Sequence, residues 1–326
     1  MSVLVTGGAG YIGSHMVYGL VDRGESVVVV DNLSTGLRGL VSPAAKFVEG
    51  DAGDAALIAR LLDQEGVEAV IHFAGSIVVP ESVGDPLKYY RNNTVASRNL
   101  VEACVENGVR SFVFSSTAAV YGIPDSVPVL EGASKAPINP YGRSKLMTEW
   151  MLEDAARAHD FHYVALRYFN VAGADKNGRT GQSTPNATHL IKRACQAALG
   201  RIPKLDIFGT DFPTPDGTGV RDYIHVSDLV AAHLLALDHL RAGSESLCCN
   251  AGYGHGASVL EIISAVERVS GNQLSVMEAP RRAGDPPILV SDPTLLKERL
   301  LWIPEHDDLD EIVRSAFAWE RRLNTA

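Results

Sequence analysis

A doubly wound α/β fold on a parallel sheet, followed by a smaller and more irregular C-terminal region, is what this 326-residue sequence predicts. Three observations carry that reading. The strand-like stretches are mostly continuous apolar runs rather than alternating ones, the mark of strands buried on both faces. Helical patterns separate them, so strand and helix alternate over the first 170 residues. Glycines cluster where the first strand should give way to the first helix.

Taken in order, Ser2–Thr6 reads as the first strand, followed by strands at 26–30, 45–49, 69–73, 111–115 and 162–167. Helical periodicity marks Ala55–Gln64, 86–107 and 141–158 between them. After Asn170 the texture changes. Residues 173–185 read as loop, 188–200 as helix, and 203–219 as a loop rich in Gly, Pro and Asp. A helix at 226–239 is expected to return to the first unit. The division is therefore 1–170 for one domain and 171–326 for the second, with about 220–240 rejoining the first. No internal repeat is visible.

Composition removes several classes of function. Lys and Arg total 29 against 39 Asp and Glu, a net charge of −10, which argues against sequence-independent nucleic-acid binding. Hydrophobic residues make up 46% and charged ones 21%, an ordinary globular balance rather than a disordered one. Cys104, Cys195, Cys248 and Cys249 are too few and scattered for a disulfide scaffold. None forms a CxxC pair, so no metal is expected and reduced thiols of a cytoplasmic protein are. The N-terminus lacks the pattern of a signal peptide, and no apolar run is long enough to cross a membrane.

Two constellations carry chemistry. Gly7-Gly8-Ala9-Gly10-Tyr11-Ile12-Gly13 sits at the strand–turn–helix junction, where glycines let backbone approach a pyrophosphate on a helix N-terminus. Asp31 ends the second strand eighteen residues later, placed to accept hydrogen bonds from both ribose hydroxyls and to repel a 2′-phosphate. Together they point to NAD. Asp51-Ala52 after the third strand is expected at the adenine, and Phe73-Ala74-Gly75 where the cofactor crosses the sheet edge. The second constellation is Tyr141-Gly142-Arg143-Ser144-Lys145. On a helix it brings a phenol and an ammonium to one face, with the phenol pKa expected to fall toward neutrality. Ser115-Ser116-Thr117 closes the fifth strand beside them, its hydroxyls available to a substrate oxygen that exchanges its proton with Tyr141.

The segments TGGAGYIGSH, DNLSTG, IHFAG, ESVGDPLKYYRNN, FSSTAAVYG, INPYGRSK, LRYFNVAGAD, DGTGVRDYIHVSDL and APRRAGD run in order through nearly the whole chain. They resemble the extended short-chain dehydrogenase/reductase family, most closely its UDP-sugar 4-epimerases. The resemblance implies a Rossmann sheet with a smaller C-terminal substrate-binding region. It implies tightly held NAD and interconversion of UDP-galactose and UDP-glucose through a transient 4-keto sugar. Thr117 and Tyr141 are implied at the sugar 4-position and Lys145 on the nicotinamide ribose. Cofactor contacts are implied at Asp31, Asn32, Asp51, Ala52, Phe73, Asn92, Ser115, Tyr141, Lys145 and Tyr168. For the UDP-sugar they are Asn170, His189, Leu190, Phe208, Arg221, Arg282 and Asp285. Arg221 and Arg282 are also what the chemistry asks for, since an acidic protein needs local guanidinium forks to hold a diphosphate. A homodimer through the helices around 86–107 and 141–158 is implied as well.

Departures from the family pattern sharpen the reading. Ile77 replaces a lysine that some members carry, so one cofactor phosphate contact is absent or supplied otherwise. Lys192 stands where proline is frequent, a change expected to be incidental. Leu289 takes the position that limits sugar-pocket size and is intermediate in bulk. It leaves a UDP-N-acetylglucosamine 4-epimerase as the alternative. A dehydratase would need an acid pair where Ala118-Ala119 stands. A non-catalytic NAD or UDP-sugar sensor would have little use for Thr117, Tyr141 and Lys145 together.

Overall fold

The computed structural model describes residues 1–185, 187–282 and 285–323. The strands are β1 (Ser2–Thr6), β2 (Val27–Asp31), β3 (Lys46–Glu49), β4 (Val67–His72), β5 (Ser111–Thr117), β6 (His162–Tyr168) and β7 (Asn170–Ala172). They continue as β8 (Leu205–Phe208), β9 (Val220–Arg221), β10 (Tyr223–His225), β11 (Leu247–Ala251), β12 (Ala257–Ser258), β13 (Val276–Ala279) and β14 (Ile288–Leu289). The α-helices are α1 (Tyr11–Asp22), α2 (Ala55–Gln64), α3 (Val79–Gly84), α4 (Pro86–Tyr89), α5 (Ala96–Glu106), α6 (Pro140–Ala158) and α7 (Leu190–Ala198). After them come α8 (Val226–Arg241), α9 (Val259–Ser270), α10 (Thr294–Leu300) and α11 (Leu309–Arg322).

Seven parallel strands form the central sheet in the order β3-β2-β1-β4-β5-β6-β11. All five residues of β1 and of β2 are buried, as continuous apolar runs require when helices cover both faces. One face packs Met16, Val17 and Leu20 of α1 with Leu229, Ala236 and Leu237 of α8. The other packs Ile58 and Leu61 of α2, Leu100 of α5 and Leu152 of α6. The strand order reverses between β1 and β4, and ligands of such sheets bind at the carboxyl ends beside that switch point.

The structure departs from the sequence reading at several points. The seventh strand is β11, whose residues Leu-Cys-Cys-Asn-Ala are not a β-branched run and pair with β6 far from their chain neighbours. Strand β8 lies inside the stretch read as loop and pairs with β13. The helix expected over 86–107 is broken by a π-helical turn at Tyr90–Val95 between α4 and α5, a feature that often marks functional sites. Lys192 is not incidental. It is buried and donates to the Glu320 carboxylate and the Gln182 carbonyl, each at 2.7 Å, and so ties α7 to α11. Among the described residues, no helix is long and apolar enough to cross a membrane.

Candidate active site

The turn at residues 7–10 joins β1 to α1 across the switch point. Gly7 has φ +71°, and a Cβ there would lie 2.6 Å from the Ala74 amide nitrogen; one on Gly13 would lie 2.2 Å from the Gly7 carbonyl oxygen. Only glycine lets α1 settle this close to β1 and β4. Gly10 is the extended N-cap and makes no side-chain cap, so the first-turn N–H groups of α1 have no intrahelical partner and form an anion site. The Tyr11 hydroxyl donates to the Gly173 carbonyl at 2.7 Å and Ile12 packs on the core. Both are left to act through their backbone N–H groups.

At the end of β2 the Asp31 carboxylate accepts from the Ala9 and Leu33 amides at 2.9 and 2.8 Å. Burial pushes its pKa above the usual carboxylate value against those two hydrogen bonds. A carboxylate has about four acceptor positions, so two remain for a further donor pair. Asn32 and Asp51 are exposed and cap their own turns through Ser34 and Gly53, and Ala52 is buried beside Asp51. Phe73, Ala74 and Gly75 leave β4 directly over the glycine turn. Asn92 donates to the Ser76 hydroxyl at 3.1 Å. Its neighbour Asn93 accepts from the Ser76 amide at 2.7 Å and donates to the Ser144 hydroxyl at 2.9 Å, which fastens this loop to α6. The exposed Ile77 next to it offers no donor.

Asn139 caps α6 through the Gly142 amide, with Pro140 at the first helical position. That start sets Tyr141 and Lys145 one turn apart, both buried, facing the end of β5. Thr117 hydrogen-bonds the Tyr141 phenol. The Lys145 ammonium donates to the Ser115 carbonyl at 2.9 Å, and the Ser115 hydroxyl meets the Tyr168 hydroxyl at 2.7 Å. Thr117, Tyr141, Lys145, Ser115 and Tyr168 thus converge. The expected fall of the phenol pKa is corrected: burial raises it, and only the Thr117 hydrogen bond opposes. Burial also draws Lys145 down to about 8, with Glu149 pushing it back up, so Lys145 is the group poised near neutrality.

The C-terminal region meets this edge at Leu289. Arg221 lies half-buried on β9 and donates to the Val220 carbonyl at 2.8 Å, with Asp285 3.9 Å away. The Arg282 guanidinium lies 3.9 Å over the Phe208 ring. Beside Phe208 opens a cavity of about 480 Å³ lined by Gly209, Thr210, Asp211, Glu278 and Arg281, among others. Asn170 hydrogen-bonds Tyr223. His189 is the exposed N-cap of α7 and Leu190 its first residue. Leu289 pairs with Arg221 in register and packs on the Ala118, Val120, Tyr121, Val129 and Leu146 cluster behind Thr117.

The chain that carries this glycine turn, strand-end acid and Thr–Tyr–Lys group matches a known family model, "NAD dependent epimerase/dehydratase family", over residues 3–252. The chain belongs to that family. A UDP-glucose 4-epimerase of Azospirillum brasilense is 61% identical over 98% of this chain and 92% of its own length. The crystal structure of UDP-glucose 4-epimerase from Brucella ovis in complex with NAD superposes with a TM-score of 0.95 at 48% identity, covering 97% of each chain. That of the UDP-Glc/GlcNAc 4-epimerase from Campylobacter jejuni gives 0.86 at 49% identity, covering 98% of this chain and 99% of the other.

In this member of the epimerase/dehydratase family, several residues around the site escape sequence reasoning. Asn93 looks no different from Asn92, and only the π-helical turn separates their roles. Glu149 and Arg167 form a buried bidentate pair at 2.9 and 2.7 Å, and the Ser116 hydroxyl donates to Glu149 at 2.5 Å. Their spacing along the chain carries no signal beyond the place of Glu149 one helical turn after Lys145.

Proposed function

We propose that this chain is an isomerase that interconverts UDP-galactose and UDP-glucose at sugar C4 with NAD it keeps bound. The observation that carries the reading is the Thr117–Tyr141–Lys145 group, at the carboxyl edge of a sheet whose glycine turn leaves no room for a side chain at Gly7 or Gly13. The α1 N-terminus and glycine turn would hold the NAD pyrophosphate, and Asp31, with two acceptor positions free, the adenosine ribose. NAD, when bound, supplies the transient oxidation and reduction at C4. Tyr141 takes the proton of the sugar 4-hydroxyl and returns it, while Thr117 orients the same oxygen. Arg221 and Arg282 hold the diphosphate, and the apolar wall at Leu289, which offers no hydrogen bond, leaves the 4-keto sugar room to turn between its two faces.

On this reading residues 1–170 bind NAD and 171–326 mainly the UDP-sugar, with 220–240 serving the first unit through α8 against α1. Leu87, Val95 and Trp150 are exposed apolar side chains on the helical stretches around 86–107 and 141–158. They make that surface the face of a homodimer. The cysteines are free, as the reducing cytoplasm keeps them, and we place the protein there. A second reading, action on UDP-N-acetylhexosamines, is favoured by Leu289, which is smaller than an aromatic wall. Purified protein given UDP-galactose or UDP-N-acetylgalactosamine without added NAD tests both. Formation of UDP-glucose, with the N-acetylated sugar slower, is expected; no turnover of UDP-galactose would overturn the reading.

A further inference from the structure

The Lys145 ammonium lies over the face of the Phe114 ring, 4.8 Å from its centroid. Phe114 is fully buried on β5, next to the Ser115 carbonyl that accepts the Lys145 hydrogen bond. We infer that Phe114 is a positioning residue for Lys145, its ring face holding the buried ammonium in place and in its charged form. The inference rests on the function proposed above.

A desolvated ammonium needs electrostatic support, and the groups that face Lys145 supply little of it. On α6, Glu149 one turn away raises the Lys145 pKa, but both its oxygens are hydrogen-bonded to Arg167 of β6, so its charge is shared. On β4, His72 is neutral: its two ring nitrogens are hydrogen-bonded to the Thr6 and Ser97 hydroxyls, and its ring stacks on Phe114 at 5.8 Å. Tyr141 and Tyr168 are both phenols whose pKa burial raises. The negative face of an aromatic ring attracts a cation within about 6 Å, and most strongly where water is excluded. With Lys145 already drawn down to about 8 by burial, losing that support discharges it near neutral pH.

The test separates the ring's electrostatics from its volume. Phe114→Leu removes the ring, and trifluorophenylalanine at position 114 keeps its shape while weakening its quadrupole. Protein labelled with ¹³Cε-lysine reports the Lys145 titration directly, its resonance identified by loss in Lys145→Arg. Both replacements should lower the titration midpoint, by about one pH unit for leucine, a tenfold change in proton affinity. The alkaline limb of epimerisation should move down with it. Trifluorophenylalanine decides the case where leucine impairs folding. An unchanged midpoint in folded protein overturns the inference. A wild-type protein without epimerase activity overturns the functional reading instead, and the resonance still decides the role of Phe114.

Discussion

Acid should unfold this protein well before its carboxylates titrate, because four histidines are buried neutral. His72 and His225 are drawn down from 6.5 to about 3, and His15 and His233 to about 4, in each case chiefly by burial. His15 and His233 give Nδ1 to a backbone carbonyl of their own helix, and among the described residues Nε2 of each has no partner. A second proton would therefore arrive buried and unpaired. Above pH 6.5 both folded and unfolded chains hold these rings neutral, and they contribute nothing to the pH dependence. Below it the unfolded chain binds protons that the folded chain refuses, so stability falls as pH falls. Between pH 7.5 and 5 each ring costs about 2 kcal/mol, and the four together about 8 kcal/mol. Asp31, Glu131 and Asp222 work the other way, since burial raises their native pKa, and they offset part of the loss. What remains is several kcal/mol, against a total stability of roughly 5–15 kcal/mol for a folded chain. Urea unfolding at pH 7.5 and 5.0 measures it. A loss under about 2 kcal/mol would refute the reasoning. His233→Phe should reduce the loss by about 2 kcal/mol, one ring's share.

Three further outcomes follow from the site. Asp31→Ala should release NAD on dialysis while the parent protein keeps its nucleotide absorbance, since hydrogen bonds to a charged acceptor are worth about 1.5–3 kcal/mol each; equal retention removes Asp31 from the cofactor site. Tyr141→Phe should lower turnover about 10²–10⁴-fold with UDP binding nearly intact, and more than a tenth of parental activity would exclude Tyr141 as the acid–base group. Leu289→Ala should raise the relative rate on UDP-N-acetylgalactosamine about tenfold, read from paired assays on the two sugars; unchanged selectivity would place the pocket limit elsewhere.

The parts legible in the sequence are those written locally. The glycine turn, Asp31 at the end of β2, and the Tyr141–Lys145 spacing are each contained in one strand end or one helical turn, and the structure puts each where its spacing said. What escaped is assembled from distant segments. β11 joins the sheet only because β6 offers it an edge, and nothing in Leu-Cys-Cys-Asn-Ala announces a strand. Lys192 gained its role from Glu320, which no local pattern pairs with it. The pKa of Tyr141 went the other way because spacing alone fixes neither burial nor where an ammonium sends its hydrogen bond. Lys145 sends it to Ser115.

The wall proposed at Leu289 illustrates what that assembly achieves. Leu289 belongs to a three-stranded sheet of β12, β9 and β14 whose members come from residues 220–221, 257–258 and 288–289. The chain around β14 is fastened to Val129 through backbone hydrogen bonds, Val129 N–H to the Val290 carbonyl at 2.8 Å and Asp292 N–H to the Val129 carbonyl at 2.9 Å. Asn250 at the sheet edge donates to that same Val129 carbonyl at 2.7 Å, and its side-chain oxygen accepts from the Tyr121 hydroxyl, also bound by Arg167. Arg167 holds Glu149 on the helix that carries Tyr141. The position of residue 289 relative to Thr117 and Tyr141 is thus set by backbone bonds and a buried polar network, none of which uses the Leu289 side chain. That frame holds its hydrogen bonds when the volume changes, although the Leu289 side chain itself packs on Ala118 and Leu146, the neighbours of Thr117 and Lys145. If Leu289 walls the sugar as proposed, its replacement should change sugar selectivity while the hydrogen bonds of Lys145, Glu149 and Arg167 stay in place.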